Sequence, residues 1–194
     1  MPRYFLYNTP LVEMEIMMQQ PPNYKPRRNG IQICEMKNTD SEKRLHGKCI
    51  EAFIKTISDR RLTERVHSLF SPGVGTPYAD GSHRLRTKAM ATAIRKDSTP
   101  EIAAAFLLSA DPVLWLLSMP SVSDGNICFS SADTCGANKN RQLILRTAKD
   151  LYLGRRIISL NELCDPNVVD DYMFRLIISA FVIRRHGLPL SKLP

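Results

Sequence analysis

The sequence predicts an α+β domain, a mixed sheet packed with helices and ending in a long C-terminal helix. Three observations carry the prediction. Short stretches of alternating apolar residues are interspersed with stretches whose apolar residues recur at helical spacing, a mixture found in α/β and α+β domains. The 194 residues are 43% hydrophobic and 24% charged, which suits a chain with its own core and excludes wholesale disorder. Helix signals then punctuate the second half: Thr99-Pro100-Glu101, Asp111-Pro112, Gly154, Asp165-Pro166 and Gly187. We read residues 1–194 as one domain, with 155–194 as a helical C-terminal extension.

In chain order, Leu11–Met18 reads as a strand with Val12, Met14 and Ile16 on one face and Glu13 and Glu15 on the other. The proline-rich, basic run from Pro21 to Gly30 is a loop, and Ile31–Met36 alternates again as a second strand. Asp40–Asp59 follows as a helix, opened by a capping box of Thr39 and Glu42, with Leu45, Cys49, Ile50, Phe53 and Ile57 at helical spacing. A short helix spans Thr63–Leu69, and Ser71–Pro77 is a loop. Tyr78–Asp80 is a short extended piece, and a helix begins at Gly81-Ser82. Helices are expected from Thr99 and over Val113–Met119, then a buried strand over Asn126–Ser130. Asn138–Leu153 is a helix closed by Gly154, Arg156–Leu160 a last strand, and Asp165 to His186 a long, mostly apolar helix.

Lysine and arginine number 27 against 19 acids, a net charge of +8, which suits a polyanionic partner such as nucleic acid, nucleotide phosphate or a membrane surface. The five cysteines form no CxxC pair and read as reduced thiols. No apolar stretch approaches the roughly 20 residues that span a bilayer, and the N-terminus shows no basic segment followed by a long apolar run. A cytoplasmic protein without a transmembrane segment is expected.

The strongest local signal for chemistry runs from Asp80 to Ala89, Asp-Gly-Ser-His-Arg-Leu-Arg-Thr-Lys-Ala. A helix start carries unpaired N–H groups and positive potential, which makes it a natural phosphate site. Gly81 permits close backbone approach or positive φ. His83 and Arg84 sit in the first turn, where the dipole favours acids, and a bound anion would resolve that conflict. At about 100° per residue, Arg84, Lys88, Ala91 and Arg95 form one outward stripe. Leu85, Ala89 and Ala93 face inward, and His83, Arg86, Met90 and Ile94 continue the apolar side. His83 and Arg86 thus point toward covered ground, where a ligand pocket would give them a partner. The plainer alternative is an amphipathic helix with a solvated basic face and two snorkelling side chains.

Gly81-Ser82-His83-Arg84 followed by Leu-Arg-Thr-Lys-Ala resembles the Gly-x-x-Arg box of the ParB/sulfiredoxin fold, which binds nucleotide phosphates at a helix N-terminus. Partition proteins read Gly-Glu-Arg-Arg-x-x-Ala-Ala there, and sulfiredoxins Gly-Cys-His-Arg. Ala137-Asn138-Lys139-Asn140-Arg141 is a weaker echo of the Glu-Asn-x-Gln-Arg segment of partition proteins, with Ala137 in place of the acid. Ser82 stands where sulfiredoxins carry cysteine, which disfavours thiol-based repair. The helix-turn-helix and dimerisation regions of partition proteins are missing, so the chain looks like the small stand-alone, plasmid-borne fertility inhibition factors of this fold. That resemblance implies a bacterial protein that hydrolyses ATP, cleaves DNA and blocks DNA transfer through a conjugative type IV secretion system. Components of that machinery would be partners and would place the protein at the inner membrane.

On this reading the nucleotide is held by Gly81, Ser82, His83 and Arg84 with Asn138 and Arg141. Arg84 and Arg86 neutralise phosphates, His83 acts as general acid or base, and Asp80 serves metal or water. Glu13 and Glu15, on one strand face, are candidates for Mg2+ or another divalent cation, or are simply a solvated strand face. Lys25, Arg27 and Arg28 beside Tyr24, with Lys88 and Arg95, are candidate DNA contacts. His46, His67 and His186 read as ordinary surface or core histidines, and Asp170 and Asp171 as structural acids at a helix start. The competing reading is a non-catalytic DNA- or protein-binding inhibitor that uses the same box to grip phosphate without turnover.

Overall fold

A computed structural model describes residues 32–70, 76–94, 98–118, 122–123, 126–127, 129, 138–155 and 158–188. Among them the architecture is helical. The elements are α1 (Gln32–Ile54), α2 (Arg60–Leu69), α3 (Gly81–Ala93), α4 (Thr99–Leu108), α5 (Pro112–Ser118), β1 (Val122–Ser123), β2 (Asn126–Ile127), α6 (Lys139–Leu153), α7 (Leu160–Cys164) and α8 (Asp171–His186).

The core is organised around α4. Its sequence, Thr-Pro-Glu-Ile-Ala-Ala-Ala-Phe-Leu-Leu, is apolar on every side after the first turn, and Ile102 through Leu108 are all buried. A helix with no polar face must be enclosed. Here α6 and α8 make the broadest walls, and α3 closes a further side. The three consecutive alanines let those neighbours come close. All eight helices contribute to the one core, so α8, which buries Met173, Phe174 and most of the stretch to Ile183, is part of its wall and no appendage.

The expected mixed sheet is absent among the described residues. The only strands there are β1 and β2, an antiparallel pair two residues long on each side, with Val122 opposite Ile127 and Ser123 opposite Asn126. This corrects the α+β expectation. Gln32 to Met36, read as part of a strand, is the first turn and a half of α1. An alternation over so few residues also fits a helix of good formers such as Gln, Glu and Met. Leu160 begins α7, whose Ser159–Glu162 capping box overrides the apolar run before it. The segment 11–18 lies outside the described residues.

Several helix ends fall where local chemistry predicts. Asn138 caps α6, its side chain accepting from the N–H groups of Asn140 and Arg141, and Gly154 closes that helix at φ +69°. Asp111 caps α5, accepting from Val113 and Leu114. Gly187 follows α8. The long C-terminal helix is shorter than expected: Asp165 ends α7, and α8 begins only after Asp170, whose side chain caps Met173. On α1 the inward face is carried by Glu42, His46 and Ile50, whereas Leu45 is 48% exposed.

Because α4 is walled on all sides, added volume within it has nowhere to go. Ala104→Leu should destabilise the protein by about 1–3 kcal/mol, read as a lower urea midpoint at unchanged slope. An unchanged midpoint would show slack around α4 that this packing denies.

Candidate functional site

The box occupies the start of α3, as its glycine and serine suggest. Asp80 is extended (φ −157°, ψ −179°), and the helix begins at Gly81. Gly81 does not take positive φ, and a Cβ there would meet nothing within 4 Å, so neither special property of glycine is used. Two donors of the first turn are engaged by Asp80. The Asp80 carboxylate accepts the His83 N–H at 2.6 Å, and the Asp80 carbonyl accepts the Arg84 N–H at 3.1 Å. The anion at this helix start is the chain's own, and a nucleotide phosphate placed here would meet it.

His83 and Arg86 do point inward, but toward α4. The last carbonyls of any helix lack intrahelical partners, and those of α4 lie where water cannot reach them. Phe106 O receives a hydrogen bond from His83 Nε2 at 2.8 Å and one from the Ser109 hydroxyl at 2.9 Å. Ser109 O, at the cap, receives Arg86 Nε at 2.6 Å. Thr87 Oγ1 donates to His83 O, with Ser109 Oγ 2.7 Å away. Cations belong at a helix C-terminus. At the end of α4 that cation is Arg86, while the neutral His83 contributes a hydrogen bond and Arg84 turns away to Glu42.

The His83 ring is neutral. Its Nδ1 accepts the Ala79 N–H at 3.0 Å, so the proton sits on Nε2 and is donated to Phe106 O. Burial pushes its pKa down to about 4, opposed by the Phe106 carbonyl. Tyr78 and Phe106 flank it, with ring centroids 5.6 and 4.6 Å away.

Arg84 was expected on a solvated stripe; it is 5% exposed. Its Nε and Nη2 each lie 3.0 Å from a different oxygen of Glu42, a bidentate pair between α3 and α1. Lys88, one turn along and partly exposed, sits 3.8 Å from the same carboxylate. Arg141 pairs with Asp111 at 2.8 Å, while Asn138 serves only as the cap already described. Arg86 and Arg141 thus meet the same α4–α5 corner, at Ser109 and Asp111. Ser82 and Asp80 remain exposed. Glu13, Glu15, Lys25, Arg27, Arg28 and Arg95 lie outside the described residues. Among the described residues no group of three or more metal-ligating side chains converges, and no helix is long and apolar enough to cross a membrane.

A cavity of about 390 Å3 opens beside Tyr78 and Ala79, against Phe70 and the outer side of α8 at Tyr172 and Arg175, but His83, Arg84 and Arg86 do not line it. Two important residues escaped the sequence reading. Glu42 was read as half of a capping box; its place on the face of His46 and Ile50 was the signal that it needed a buried partner. Arg65 had no assigned role, yet it bonds Leu163 O, Val169 O and Asp171 and lies over the Phe174 ring. No sequence pattern marks those backbone acceptors.

No family model, curated protein or solved structure matches the chain. The chemistry of the site rests on its own geometry, which ties His83, Arg84 and Arg86 each to an internal partner.

Two measurements follow from this arrangement. Arg84→Ala removes the bidentate partner of the buried Glu42 carboxylate, leaving the longer contact to Lys88, and should cost about 3 kcal/mol. Glu42→Gln combined with Arg84→Met should recover most of that loss in a urea-denaturation cycle, and a mild Arg84→Ala would show the pair to be solvated. The second concerns pH. Burial, aided by Arg175, also holds His46 down to about 4. Both imidazoles titrate near 6.5 in the unfolded chain, so between about pH 6.5 and 4 the unfolded chain binds more protons. Stability should be level above neutrality and fall on acidification through that window, by up to about 1.4 kcal/mol per pH unit for each histidine. A flat profile between pH 7 and 5 in urea titrations would contradict two neutral, buried rings.

Proposed function

We propose that the protein is a non-catalytic DNA-binding module whose Gly-Ser-His-Arg box serves the fold and whose outer basic surface meets phosphate. The observation that carries this reading is the commitment of His83, Arg84 and Arg86 to Phe106 O, Glu42 and Ser109 O. Nucleotide hydrolysis or strand cleavage through the box would require these side chains to leave buried partners. Support for the surface comes from α1. Glu42, His46 and Ile50 face the core, while Arg44, Lys48 and Lys55 are exposed together on the opposite side, with Glu51 the one acid among them. Arg44 and Lys48 lie on α1 and Lys55 in the turn just beyond it, a run long enough to follow several phosphates along a backbone. Held on DNA without cutting it, such a protein would inhibit conjugative transfer by occupancy, the form that the fertility-inhibition reading takes here.

Three phosphate contacts imply a log–log salt slope of about −2.7, so affinity for duplex DNA should fall roughly 40-fold between 50 and 200 mM salt. Replacing Arg44, Lys48 and Lys55 together by alanine should flatten that dependence at an unchanged melting temperature. Plasmid and single-stranded DNA incubated with ATP and Mg2+ should stay intact. A salt-independent affinity would overturn the binding mode, and ATP-dependent cleavage would restore the enzymatic reading.

A further inference from the structure

We propose that the groove between α1, α2, α7 and α8 is a docking site for an acidic, apolar peptide segment of a partner protein. The groove has a volume of about 470 Å3. Phe53, Leu163 and Phe181 line it, and Leu160 stands 52% exposed at its lip. Leu163 is buried and forms the floor, while Phe53, Ile158 and Phe181 are half-buried, and such half-covered apolar side chains make a surface that gains by being covered.

The charge around it selects the occupant. The two charged residues that line the groove are both cations, Arg184 and Arg185. Arg185 Nη1 donates to Thr56 Oγ1 at 3.0 Å, which holds the guanidinium across the mouth from the end of α1. Arg184 lies beside Gly154, at the C-terminal end of α6. Two guanidiniums beside an apolar floor, one of them anchored on Thr56, suit carboxylates flanking apolar anchors, each able to take a forked pair of hydrogen bonds. A DNA backbone would satisfy the cations and leave the floor wet. A second copy docked through the same groove by a two-fold axis would set these arginines against their own counterparts. This interface is independent of the basic stripe on α1.

The probe is a fluorescent amphipathic peptide of about 12 residues, with Leu and Phe anchors at helical spacing and Glu on both flanks. Fluorescence polarisation on the full chain should show saturable binding, weakened at least tenfold by Leu160→Asp. That substitution is at an exposed position in the first turn of α7, where an acid suits the dipole and the fold should hold. A peptide with Lys for every Glu should bind at least tenfold more weakly. The triple alanine variant of Arg44, Lys48 and Lys55 should bind the Glu peptide unchanged, which separates this site from the DNA-binding reading. The proposal is overturned by an absence of binding at millimolar peptide, by equal binding of the Lys peptide, or by equal binding to Leu160→Asp. A dimer in sedimentation that Leu160→Asp dissociates would assign the groove to a second copy and overturn it as well.

Discussion

The C-terminal end of α4 is the constraint on which the rest of the structure depends. A helix buried on all sides satisfies its internal backbone groups by itself but not its last carbonyls, and here no water reaches them. Leaving one such acceptor unpaired costs on the order of 1–3 kcal/mol. The chain supplies donors from one neighbouring helix: His83 to Phe106 O and Arg86 to Ser109 O. Those bonds set α3 against α4. With α3 placed, Arg84 turns toward α1 and meets Glu42. One unmet need at a helix end thus orients three helices, and the residues that meet it are types usually noticed for catalysis.

The legible parts of the fold were those written in local chemistry. The start of α3 after Asp80, the proline-led start of α4, the Asn138 and Gly154 limits of α6 and the stop at Gly187 can all be read from capping rules. The sheet was misread because brief alternation is compatible with either period: Gln32 to Met36 belong to α1, and the capping box of Ser159 and Glu162 starts a helix at Leu160. In the site, the inward direction of His83 and Arg86 could be read from their register on α3. Their partners could not, because a carbonyl belongs to every residue and carries no signature in sequence. Glu42 was misassigned for a related reason: with α1 beginning at Gln32, a pattern that looked like a helix start lies inside a helix.

The net charge of +8 mixes two populations with different physics. Arg65, Arg84 and Arg86 are largely withdrawn from solvent and engaged with carbonyls or carboxylates. Arg44, Lys48 and Lys55 face water. Mobile ions screen the second group strongly and the first weakly. Conditions that detach the protein from a polyanion therefore leave its internal pairs in place, and a change in ionic strength acts on its associations before it acts on its fold.

The enclosure of α4 also bears on how the protein comes into being. Its apolar sequence is complete at Leu108, whereas α8, one of its two broadest walls, does not begin until Asp171, about sixty residues later. At typical elongation rates that interval is on the order of 3 to 12 seconds. During it the nascent chain carries a segment with no polar face and only part of its eventual cover. The design that makes the finished core dense leaves the growing chain dependent on early shelter from α3, from the ribosome surface or from a chaperone, and makes the timing of translation a factor in its yield.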